Sequence, residues 1–324
     1  MTDIILLTGF LGAGKTTLLN RLLTGNENPG KTIGVIVNEF SQTGVDGQII
    51  EAPSGTSLVE LNNGSIFCAC IKDHFVDALI DLSGRGLDLL FIEASGLADP
   101  ANFTAILDGI KKQTKDAYRY LGGVCLVDAL YFPKFFSLLP ALKRQLLYSK
   151  VVLINKADLV EPAQIAQCLD LIRETNPAAA VYETSYCRIA FDQLYQDLAP
   201  SRDETEAGEG TAATGRPALD STNTPETRPK TLTIHPAKAI EMTQLKALLS
   251  GLTPHAYRIK GFMMTTEGPC FVSCVGEEIN IQPVEKMGGE ASLVVIASVG
   301  IKIISLATAE ARKYWGDNVQ IRVD

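Results

Sequence analysis

Between Gly9 and Thr17 the chain reads GFLGAGKTT. Gly9, Gly14, Lys15 and Thr16 fit G-x-x-x-x-G-K-[ST], with Gly12 an additional glycine. That spacing suits phosphate chemistry. Glycines let the backbone curl so that successive N–H groups face inward at phosphate oxygens. A helix start after the loop adds its partial positive charge. Lys15 would reach the outer phosphates and offset charge on the transferring group, and the Thr16 hydroxyl would bind Mg²⁺. A second set, Asn155-Lys156-Ala157-Asp158, forms N-K-x-D. Guanine presents two donors, N1–H and the 2-amino group, and Asp158 could accept both; adenine offers no such pair. The Lys156 stem would lie on the base face, and the Asn155 side chain would tie the loop down. Taken singly, each set also reads as an ordinary turn before a helix. Together they predict binding of GTP and GDP with Mg²⁺.

Other residues could complete that chemistry. Glu39 and Glu93 each follow a short apolar run, where a strand-end acid can join the magnesium shell. Glu39 and Gln42 are the candidates for orienting an attacking water. The predicted nucleotide-binding set is Gly9, Gly12, Ala13, Gly14, Lys15, Thr16, Thr17, Gly96, Asn155, Lys156 and Asp158. Cys68 and Cys70, two apart, would present both sulfurs on one side of an extended segment. Two thiolates suit Zn²⁺, Cu(I) or Co²⁺, though a closed zinc site needs four ligands. Glu39, His74 or a second subunit would have to supply the rest. The competing reading is a pair of small, half-buried hydrophobes. Cys125, Cys270 and Cys274 sit in strand patterns and read as core.

These residues need rigid elements behind them. Ile4 to Leu7, Thr32 to Val37, Leu87 to Ile92, Leu121 to Val127 and Val151 to Ile154 are unbroken apolar runs, as expected of parallel strands buried on both faces. Between them lie helical patterns: leucines after the glycine loop, His74 to Leu82, a helix opening at Pro100 with Asp99 as its cap, and Tyr131 to Tyr148. A helix over Pro162 to Thr175 and a strand near 180–184 follow. The alternation predicts an α/β fold, a P-loop NTPase doubly wound, mostly parallel sheet over residues 1–198. Residues 199–230 are acidic, then rich in Gly, Thr, Ala and Pro, and read as a flexible linker. Residues 231–324 resume strand and helix patterns and predict a smaller C-terminal α+β domain. There, Lys302–Ile304 reads as a short strand and Ser305 to Trp315 as a last helix.

At this point the motifs resemble a known family. GFLGAGKTT, VNEF, NNGSIFCAC, EASGLADP and NKAD occur in the order seen in the CobW-like metal-chaperone GTPases, relatives of the urease and hydrogenase nickel-insertion GTPases. The resemblance covers residues 4–185, and the tail is similar to the family's C-terminal domain. It implies hydrolysis of GTP to GDP and phosphate, coupled to delivery of a metal (Zn²⁺, Co²⁺ or Ni²⁺) or a corrinoid cofactor to a client protein. It also implies nucleotide-dependent homodimers. The sequence departs from the family at several positions. Ser65 and Phe67 stand at the first two positions of the usual Cys-x-Cys-Cys, Cys68 matches the third, and Gln42 replaces a glutamate. The alternative is a GTP-dependent switch or assembly factor that binds its partner without carrying metal.

Composition narrows the setting. A net charge of −8 with no basic block argues against nucleic acid as the partner. No apolar run approaches the roughly 20 residues of a membrane span. The N-terminus lacks a basic leader and runs straight into the glycine loop, and the seven cysteines read as thiols, so a cytoplasmic location is expected.

Overall fold

The computed structural model describes residues 1–24, 30–39, 56–62, 72–199, 229–287 and 289–323. The described residues fall into two compact units, one up to residue 199 and one from 229 onward.

The first unit is a parallel sheet with helices. Its strands are β1 (Thr2–Gly9), β2 (Ile33–Glu39), β3 (Ser57–Asn62), β4 (Leu89–Glu93), β5 (Tyr118–Asp128), β6 (Val151–Asn155) and β7 (Ala180–Glu183). They lie in the order β3-β2-β4-β1-β5-β6-β7, every neighbouring pair parallel. β1 is central and buried along its whole length, which is why its sequence runs apolar rather than alternating. The chain leaves β1 toward β2 on one side, then crosses from β4 to β5 on the other. The carboxyl end of β1 is therefore the crevice where ligands bind in open α/β sheets.

The helices are α1 (Lys15–Thr24), α2 (Lys72–Ser83), α3 (Phe103–Ile110), α4 (Phe132–Phe136), α5 (Pro140–Leu147), α6 (Pro162–Thr175) and α7 (Phe191–Leu198). Leu18, Leu19, Leu22 and Leu23 of α1 join Ile5, Leu7, Val35 and Phe91 in one core layer. Phe75, Leu79 and Leu82 of α2 join Ile4, Ile36 and Ile92 in the layer on the other face. The stretch Tyr131–Tyr148, read from the sequence as largely helical, holds two helices. Pro140 disfavours the helical region for the residue before it, and Leu139 is extended at φ −122° and ψ 101°. Helix α7, not anticipated, buries Phe191, Leu194 and Leu198.

The second unit is an antiparallel sheet of β8 (Thr231–His235), β9 (Ala256–Thr265), β10 (Gly268–Val275), β11 (Glu278–Pro283), β12 (Ser292–Ala297) and β13 (Gln320–Val323), ordered β11-β10-β9-β12-β8-β13. Helices α8 (Met242–Leu252) and α9 (Lys302–Trp315) bury Leu245, Leu248, Leu249, Ile303, Ala307, Ala311 and Trp315 in its core. The short strand expected at Lys302–Ile304 is the first turn of α9. Its β-branched isoleucines favour a strand locally, but Ile303, Ala307 and Ala311 at four-residue spacing bury one helical face, and packing overrides propensity. Cys270 and Cys274 are core, as expected.

Candidate nucleotide site

The glycine loop spans the gap between β1 and α1. Gly14 has φ +110°, and a Cβ there would fall 2.6 Å from Asn155 Nδ2 and 2.9 Å from Cys187 Sγ. Only glycine allows this conformation and this approach together. Lys15 is 7% exposed and folds back over the loop, donating to Gly9 O at 2.9 Å and Phe10 O at 3.1 Å. Its ammonium is thereby anchored above the curled backbone rather than swinging in solvent. Gly12 and Gly14 are half-buried, Ala13 is buried and Thr17 is exposed.

Thr16 Oγ1 donates to Glu93 Oε1 at 2.8 Å. The first turn of α1 and the end of β4 thus bring a hydroxyl and a carboxylate together, the hard oxygen set that suits Mg²⁺. Nearby, the hydroxyls of Thr8 and Ser95 are buried without a hydrogen-bond partner among the described residues. A buried hydroxyl left so costs about 1–3 kcal/mol, and a bound ion, phosphate or ordered water would remove that cost. The residues present therefore fit a magnesium-bound phosphate group.

Gly96 lies against the glycine loop. A Cβ on it would meet Leu11 Cδ2 at 2.5 Å and Leu11 N at 2.6 Å. Asp99 accepts from Ala101 N at 3.0 Å, the cap expected from the sequence, ahead of a single 3-10 turn at Pro100–Asn102 that leads into α3.

Asn155 ends β6 and is 3% exposed. Its Nδ2 donates to Ala13 O at 2.9 Å, and its Oδ1 accepts from Cys187 N at 2.9 Å. Lys156 takes the left-handed conformation at φ 63°, and its ammonium pairs with the buried Asp128 at 2.7 Å. Asp158, the carboxylate expected from the sequence to read guanine, is exposed in the turn that follows Lys156. The segment Thr184–Cys187 lies against Asn155, Thr184 Oγ1 donating to Asn155 Oδ1 at 3.3 Å, with Tyr186 and Cys187 also at positive φ. Burial pushes the Cys187 thiol up to about 12, so it is a packing group and not a nucleophile.

Sequence reasoning missed Thr184, Cys187 and Asp128. The available signal was position: all three sit at or just past the carboxyl ends of β5 and β7, beside the end of β6. Glu39 is the last residue of β2, on the same sheet edge, but its side chain lies outside the described residues, as do Gln42, Cys68 and Cys70. Most of the expected linker, residues 200–228, also lies outside them. His74 is exposed in the first turn of α2. Among the described residues no group of three His, Cys, Asp or Glu could hold a metal ion, and no helix is long and apolar enough to cross a membrane.

A parallel doubly wound sheet with a glycine loop at the end of its central strand defines a P-loop nucleotide-binding fold. Residues 3–183 match the family model described as CobW/HypB/UreG, nucleotide-binding domain, and the chain belongs to this family. It is 34% identical to the "Zinc chaperone YjiA" of Escherichia coli (strain K12) over 200 residues, 59% of this chain and 60% of that protein. It is 30% identical to the "Zinc-regulated GTPase metalloprotein activator 1" of Dictyostelium discoideum over 214 residues, 55% of this chain and 45% of that protein. The chain thus spans about half the length of these curated relatives. A crystal structure of Zn(II)-bound YjiA GTPase from E. coli covers 96% of this chain and 98% of that one, at 20% identity and a TM-score of 0.47.

Proposed function

We propose that this chain hydrolyses GTP to GDP and phosphate and uses the cycle to deliver a metal ion, zinc first among the candidates, to a client protein in the cytoplasm. The observation that carries the reading is the bond from Asn155 to Ala13. It fastens the guanine-reading loop to the phosphate cradle, so both ends of one nucleotide would meet the same sheet edge. Asp158 would accept from the guanine N1–H and 2-amino groups. Gly9, Gly12, Ala13, Gly14, Lys15, Thr16, Thr17 and Gly96 would surround the phosphates. Thr16 and Glu93, with Glu39, would hold Mg²⁺, which supplies charge neutralisation at the phosphoryl oxygens when bound. Glu39 and Gln42 are the proposed water-orienting residues. Turnover without a partner or second subunit is expected to be slow.

Calorimetry with GTP, GDP and ATP in the presence of Mg²⁺ tests the nucleotide step. Binding of GDP and GTP but not ATP is expected; equal binding of ATP would remove the role given to Asp158. For the metal step, the cargo would be held by Cys68 and Cys70 with ligands from another element or subunit. Support comes from the relatives named as zinc chaperones. The test is competition for Zn²⁺, Co²⁺ and Ni²⁺ by the protein and by Cys68→Ser/Cys70→Ser, each loaded with GDP or a GTP analogue. An affinity indifferent to both the substitutions and the nucleotide would defeat it.

Ser65 and Phe67, at positions where the family carries cysteine, favour a second reading. The chain would then be a GTP-dependent switch that docks on a metalloprotein or corrinoid-protein client and carries no metal itself. Client capture that leaves the client's metal content unchanged would support it.

A further inference from the structure

Residues 94–100, the loop that follows Glu93, are all buried. Two consecutive side chains of α5 hold this loop. Arg144 Nε donates to Asp99 Oδ2 at 2.9 Å, with Asp99 1% and Arg144 6% exposed. Gln145, fully buried, donates through Nε2 to Gly96 O at 3.2 Å and Ala98 O at 3.0 Å. On its other side the loop rests on the glycine loop through Gly96 and Leu11. The far end of α5 is fixed as well. Ser149 Oγ donates to Gln145 O at 2.7 Å, and Asn176 Nδ2 donates to Leu146 O and Ser149 O, both at 2.8 Å.

We infer that Arg144 and Gln145 are positioning residues that make the loop after β4 and helix α5 one mechanical unit. Splitting the Arg144–Asp99 pair would strand two charges away from water. Pulling Gln145 from the loop would leave two buried carbonyls without those donors. Moving the loop together with the near end of the helix, about the far end that Asn176 holds, breaks neither set of bonds. A displacement of Gly96 at the phosphate cradle is therefore passed to α5, whose preceding turn exposes Leu138 on the outer surface. Packed elements shift between discrete arrangements in this way rather than deforming continuously. The linkage itself stands on the bonds just given; the nucleotide as its trigger rests on the proposed function.

Hydrogen exchange on the full chain tests both parts. In nucleotide-free protein, Gln145→Met is expected to raise exchange about tenfold at amides of residues 94–103 and 140–147 alike, with β6 unchanged. Arg144→Lys should act in the same direction, and if it fails to fold the Gln145→Met comparison still decides. A rise confined to 140–147 would overturn the linkage. With GDP exchanged for a GTP analogue, both segments of the wild type should change protection together, and in Gln145→Met, where only the Arg144–Asp99 pair remains, the response of 140–147 should be smaller than that of 94–103. The same variant should lower kcat for GTP with KM nearly unchanged. An analogue that binds yet shifts 94–103 alone, or neither segment, in the wild type overturns the inference. If no guanine nucleotide binds at all, the proposed function fails, while the nucleotide-free comparison still decides the linkage.

Discussion

The Asn155 side chain ties its own loop to two others: its amide nitrogen donates to Ala13 O, 142 positions earlier in the chain, at 2.9 Å, and its oxygen takes the Cys187 N–H. One short side chain thereby sets the separation between the loop that would grip phosphate and the loop that would read the base. Because Asn155 is 3% exposed, both bonds are made away from bulk water.

Asn155→Ala should therefore cost about 2–4 kcal/mol in urea unfolding of the first unit, since it orphans an acceptor and a donor at once. GDP affinity should fall by about tenfold or more, because the two loops lose their fixed spacing. Matched unfolding curves and calorimetric titrations would check this, and a variant with wild-type GDP affinity would refute the bridging role.

Glycine at position 14 is needed for space as well as for backbone conformation. Gly14→Ala places a methyl 2.6 Å from Asn155 Nδ2 in a φ +110° backbone. Nucleotide binding should be lost by calorimetry, while circular dichroism shows the strands and helices retained.

At the opposite end of the sheet, Asp3 accepts two bonds from Arg119, at 2.6 and 2.8 Å, and a further bond from the Tyr195 hydroxyl. This cluster pins α7 to β1 and β5, far from the proposed phosphates. Tyr195→Phe is expected to lower stability by about 1 kcal/mol and leave GDP affinity unchanged. A change in affinity of the same size as in Asn155→Ala would show that the two ends of the sheet are coupled.

Burial pushes the thiols of Cys125, Cys187 and Cys274 up to about 12, from an ordinary value of 9.0. The unfolded chain therefore releases these protons first. Stability should hold below pH 9 and decline as pH rises from 9 toward 12, because over that window the unfolded state binds fewer protons than the folded one. The same three thiols should resist alkylation at pH 8, read by mass spectrometry after a timed quench; fast labelling of Cys187 would mean that its loop opens readily.

The sequence by itself determined most of the scaffold and marked the residues that would carry the chemistry. Gly14, Lys15 and Thr16 after an apolar run, with Asn155 and Asp158 after another, specify local backbone shapes and donor types that need no distant partner to be read. Unbroken apolar strands likewise declare a sheet covered on both faces. Strand versus helix at Ile303 and Ile304 was not legible, because burial against β8 and α8 decided it and propensity pointed the other way. Tertiary structure alone decided which side chains join the motifs. Asn155 to Ala13, Lys156 to Asp128, and Arg144 and Gln145 to the loop after Glu93 all bridge separate elements. Such partners have no fixed spacing in sequence; strand order and helix packing bring them within bonding distance only once the chain has folded.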